Sequence, residues 1–73
     1  MDTIQKYYRI NREGVGFLKF IIESYEGIAL IRTIDSTKAV IEIMVAPGFE
    51  EVVENIINEY KGKFNIMELL EPG

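Results

Sequence analysis

A chain of 73 residues makes one domain at the usual ~100 to 200 residues per domain, which excludes tandem modules and repeat arrays. Its 8 Lys and Arg against 12 Asp and Glu give a net charge of −4, which argues against nucleic acid as a partner. The absence of Cys and His removes thiol nucleophiles, imidazole bases, disulfides and nearly all structural zinc sites, so neither a metal nor a cofactor is expected.

From Thr3 to Asn11 the residues alternate, Ile4, Tyr8 and Ile10 against Gln5, Tyr7 and Arg9, and this predicts a strand. No basic stretch followed by an apolar one opens the chain and no apolar run is long enough to span a bilayer, so a cytoplasmic protein without membrane contact is expected. Asn11, Arg12, Glu13, Gly14, Val15 and Gly16 break the alternation and predict a glycine-bearing turn. Beyond it Leu18, Ile21, Ile22 and Tyr25 recur at helical spacing, with Lys19, Glu23 and Glu26 as the polar stripe, Phe17 and Phe20 half-exposed on the flank, and Gly27 as the stop.

Ile28 to Ile34 and Ala39 to Val45, joined by Asp35-Ser36-Thr37-Lys38, predict a hairpin. Phe49, Val52, Val53, Ile56, Ile57 and Tyr60 predict a second helix, introduced by Pro47, with Glu50 and Glu51 in its first turn, Lys61 in its last and Gly62 just beyond. Phe64 to Leu70 reads as a last strand and residues 71–73 as a frayed tail.

The order strand, helix, strand, strand, helix, strand predicts an α+β, ferredoxin-like βαββαβ domain over residues 1–73: a four-stranded antiparallel sheet with both helices on one face. The other face is expected to be open and to carry Tyr7, Arg9, Val40, Glu42 and Met44. With 48% hydrophobic residues in so short a chain, a homo-oligomer is expected, with Tyr7, Val40 and Met44 on that face, or Phe20 on the first helix, as interface residues.

The segment Asn11 to Gly16 is the candidate ligand site, because a strand running through glycines into a helix leaves backbone N–H groups aimed at one spot, where an anion or small carboxylate effector fits, with Arg12 adding charge. The competing explanation is that Gly14 and Gly16 supply unusual φ angles. Lys19 stands where a dinucleotide fingerprint needs its last glycine. Asp35 to Lys38 reads as a solvated turn, since no base stands by to activate Ser36 or Thr37, and Glu50, Glu51, Glu54 and Glu59 read as a solvated helix face. No catalytic residue is assigned, and no enzyme is expected.

The stretch Arg12 to Asp35, with Glu13-Gly14-Val15-Gly16 at the first turn and Gly27-Ile28-Ala29-Leu30 leading into the second strand, resembles the first half of an ACT domain. That resemblance implies a regulatory module with the same βαββαβ order, which pairs and binds amino acids or other small effectors near its first turn; Ala29 stands where such domains often carry Asn. The chain, including Thr33-Ile34-Asp35 and Ala46-Pro47-Gly48-Phe49, is also similar to a family of short stand-alone prokaryotic proteins of unassigned function. As an alternative, Glu13-Gly14-Val15-Gly16-Phe17 is similar to the phosphate-cradling loop of acylphosphatases, which implies a small hydrolase using the Arg12 to Lys19 loop. Here that family's loop arginine is replaced by Leu18 and its water-orienting Asn by Thr33, leaving Lys19 and Arg32 as partial substitutes.

Overall fold

A computed structural model of the protein describes residues 3–72. The elements run β1 (Ile4–Arg9), α1 (Glu13–Glu23), β2 (Ala29–Asp35), β3 (Val40–Val45), α2 (Glu50–Phe64) and β4 (Met67–Leu69). The sheet order is β2-β3-β1-β4 with every neighbouring pair antiparallel, which is the ferredoxin-like arrangement that the element order predicts. Among the described residues no helix is long and apolar enough to cross a membrane.

Period-two alternation places Tyr8 of β1 and Ile10 just beyond it, Ile31 of β2, and Ile41, Ile43 and Val45 of β3 on the helix-covered side. They pack against Leu18 and Ile22 of α1 and Val53, Ile56 and Ile57 of α2 in one core, which Phe64 and Ile66 close at the end of α2. Tyr25, expected on the core face, is exposed instead, because α1 ends at Glu23 and the chain turns before reaching it.

Both helices depart from their expected bounds at glycines. α1 begins at Glu13, so the expected turn forms its first turn, and neither Gly14 nor Gly16 has a positive φ. A Cβ on Gly14 would lie 2.5 Å from Phe64 Cγ; the residue is glycine because the end of α2 presses against it. α2 runs through Gly62 to Phe64 and is stopped by Asn65 in the left-handed region (φ 52°), so Asn65 and not Gly62 is its cap. Gly27 and Gly48 do occupy positive φ, Gly27 in the turn beyond α1 and Gly48 just ahead of α2. β4 is shorter than expected, residues 70–72 after it have no regular structure, and the part of the frayed-tail expectation that falls on Gly73 lies outside the described residues.

Candidate functional site

The Asn11 to Gly16 segment is largely engaged in holding the fold together. The Asn11 amide donates to the Phe64 carbonyl at 2.8 Å, and the Gly14 and Val15 amides donate to the carbonyls of Asn11 (2.9 Å) and Arg12 (3.2 Å). Arg12 reaches across to the β2–β3 turn and donates from Nη2 to the Thr37 carbonyl at 2.9 Å. Two amides expected to converge on a ligand are therefore spent within the turn, Gly14 is covered by Phe64, and the cradle implied by the acylphosphatase resemblance is replaced by helix, with Leu18 buried in the core. In the β2–β3 turn, Asp35 Oδ1 accepts from the Lys38 amide at 3.0 Å, which gives the acid a local structural partner.

Ionic groups gather in two other places. On the helix-covered side, Lys6 of β1 donates to Glu54 of α2 at 3.1 Å and lies 3.7 Å from Glu68 of β4. The hydrogen bond to Glu54 is the main reason Lys6 holds its proton above the ordinary lysine value, with partial burial working against it and Glu68 adding to it. Beside them Tyr8 lines a small cleft with Asn58 and Lys61, and burial pushes its phenol up to about 12, the carboxylates of Glu68 and Glu54 adding to the effect.

On the open side of the sheet, register sets side chains in rows. Leu69, Tyr7, Glu42 and Arg32 stand opposite one another across β4, β1, β3 and β2. Glu42 is only 5% exposed, although it lies on the face that no helix covers. Arg32 Nε donates to its Oε1 at 2.6 Å, while the Arg32 side chain itself stays 66% exposed. Burial, then hydrogen bonding to Glu42 and the charge of Glu42, raises the Tyr7 phenol above its ordinary value. Tyr7, Arg32, Thr33, Ile34, Glu42 and Pro72 line a hollow of about 380 Å³.

The face is less apolar than alternation predicts. Val40 is buried apart from the main core, so it offers almost no contact surface, and Met44 is half-covered. The exposed apolar side chains there are instead Leu30 (61% exposed) and Met67, neither of which was singled out as an interface residue. Phe20 projects from α1 at 71% exposure. No local signal marks the ionic row: a regular ladder continued from the Asp35–Val40 pair would set Arg32 opposite Ile43, and the bulge between Thr33 and Asp35 is what brings it opposite Glu42.

No curated protein and no solved structure matches the chain. Residues 8–63 match the sequence profile of a domain of unknown function, DUF4911, and the chain therefore belongs to that family.

Proposed function

We propose that this domain is a self-associating interaction module that works as a homodimer, two copies joining edge to edge along β2. The observation that carries the proposal is the character of that edge. β2 is seven residues long, has β3 as its one sheet neighbour, and contains neither Pro nor Lys, the residues that usually guard such edges. The opposite edge, β4, has only three residues.

A second copy is the occupant that fits. A bulge between Thr33 and Asp35 ends regular pairing there, leaving Ala29 to Thr33 as the segment free to pair. A twofold axis at Ile31 sets Leu30 opposite Arg32 of the other copy, so an exposed leucine lies along an arginine stem. An axis at Arg32 would oppose two guanidinium groups and is disfavoured. Above the edge, α1 packs against β2. Phe17 turns toward Tyr60 and Phe64 of α2, so the far flank of α1 carries Lys19 and Glu23 one turn apart. Antiparallel copies of that flank bring opposite charges together.

Sedimentation across a concentration series tests the proposal. A dimer at micromolar concentration is expected, together with slowed amide exchange along β2 on association. Leu30→Lys, at an exposed position, is expected to shift the equilibrium to single chains and to make the melting temperature independent of concentration, with the melting temperature of dilute wild type kept. A single-chain mass at high concentration overturns it.

A further inference from the structure

On the open face, a buried carboxylate holds a largely exposed guanidinium in place at the rim of a hollow. Removing Glu42 from water is costly, and its position, outside the helix-covered core, means that packing does not require a charge there. What the pair does achieve is fixation of Arg32, whose Nε is committed to Glu42 at 2.6 Å. Among the described residues the guanidinium makes no other hydrogen bond, so its two terminal nitrogens are left as a planar fork, the geometry that matches an oxyanion with two parallel hydrogen bonds. Glu42 thus acts as a positioning residue and Arg32 as the contact.

We propose that this hollow binds a small monovalent carboxylate, its oxyanion on the Arg32 fork and its compact apolar body against Ile34, Pro72 and the Tyr7 ring. The volume of about 380 Å³ lies at the lower end of small-molecule sites and limits the ligand to a few carbons or a single ring. Charge selects the head group. Arg32 contributes one positive charge beside the negative charge of Glu42, so a phosphate dianion would bring two negative charges next to a carboxylate that water does not screen, whereas a carboxylate brings one. The site is separate from the Asn11 to Gly16 segment and does not depend on self-association.

Phenylacetate and isovalerate are the probes, their amides the uncharged controls, and inorganic phosphate the competing oxyanion, read by amide and Arg32 Nε–H NMR shifts. Saturable shifts at residues 32–34 and Tyr7 are expected with a dissociation constant on the order of 1 to 10 mM, the range for about ten non-hydrogen atoms in an open site. Arg32→Gln is expected to weaken binding at least tenfold. Arg32→Lys keeps the pairing with Glu42 but loses the fork, and should weaken binding several-fold in a fully folded protein. Ile34→Ala should reduce phenylacetate binding more than acetate binding, and Arg9→Gln, on the same face, should change neither.

The proposal is overturned if the carboxylates produce no shifts at about ten times that concentration range, if folded Arg32→Lys binds as tightly as wild type, if the amides bind equally well, or if phosphate gives the same shifts at lower concentration. Sedimentation of the same samples reports self-association separately, so a monomer that binds phenylacetate supports this site while refuting the β2 dimer.

Discussion

The two sides of the sheet use the same strand for different ends. Ile41, Ile43 and Val45 of β3 face the helices and are completely buried among aliphatic side chains, where shape and area decide everything. One residue out of step, Val40, Glu42 and Met44 face away from the helices, and there a carboxylate is buried by its own neighbours in the sheet rows. The first side stabilises the domain and tolerates little change; the second contributes less to stability and has room for polar chemistry.

The contrast is sharpest on one strand. Ile43→Ala is expected to cost about 2 to 5 kcal/mol in urea unfolding, whereas Met44→Ala, its half-covered neighbour, should cost less than about 1. Comparable losses would mean that the open face is covered in solution. A second test lies at the start of α1. Gly14→Ala forces a Cβ to within 2.5 Å of the Phe64 ring and should cost about 1 to 3 kcal/mol, and less than that when made in a Phe64→Ala background, which removes Cγ and the ring. Gly16→Ala, with nothing within 4 Å, should gain about 0.5 to 1 kcal/mol.

Alkaline titration probes the groups beneath α2. The folded Tyr8 pKa, about 12, lies above that of an unfolded tyrosine near 10, so its contribution is fully present below about pH 10 and is lost as pH rises toward 12. Lys6, also raised, loses its proton in the same alkaline range, and Tyr8→Phe distinguishes them by removing only the phenol's share of the decline in melting temperature. Absorbance titration of the phenolates should show Tyr8 ionising at about pH 12 and Tyr7 shifted in the same direction. The smallest effect is expected for Glu42→Leu. It removes a buried charge while Arg32, already largely exposed, returns to water, and stability should stay within about 1 kcal/mol of wild type.

Strand faces and the order of elements were legible because a two-residue period leaves few alternatives, and Ile41, Ile43, Val45 and, of the α2 stripe, Val53, Ile56 and Ile57 fell where alternation and helical spacing predict, whereas Phe49 stands ahead of the helix and is exposed. The helix bounds were not. Gly14 and Gly62 read as punctuation by local propensity, yet tertiary packing overrides that preference at Gly14, and at Gly62 the helix simply continues to Asn65. Tracing the origin of Gly14 requires Phe64, which no local window contains. The ionic row was not legible: regular hairpin spacing puts Arg32 out of step with Glu42 until the bulge between Thr33 and Asp35 shifts it, and Glu42, with Tyr7 on one side and Arg32 on the other, sits in a row that spans three strands at once. The Asn11 to Gly16 expectation took helix-terminal amides for free donors before their partners, the carbonyls of Asn11 and Arg12, could be known.

The notch between Gly14 and Phe64 also sets a timetable. Its two halves lie near opposite ends of the chain, so during synthesis, at roughly 5 to 20 residues per second, α1 emerges and waits for its seat until the last turn of α2 has left the ribosome. Until then Leu18 and Ile22 of α1 have β2 to pack against but lack the part of the core that α2 supplies. A nascent chain stalled before Phe64 is thus the form most open to chaperone capture or premature pairing, and completion of α2 is the event that commits the whole domain to its native state.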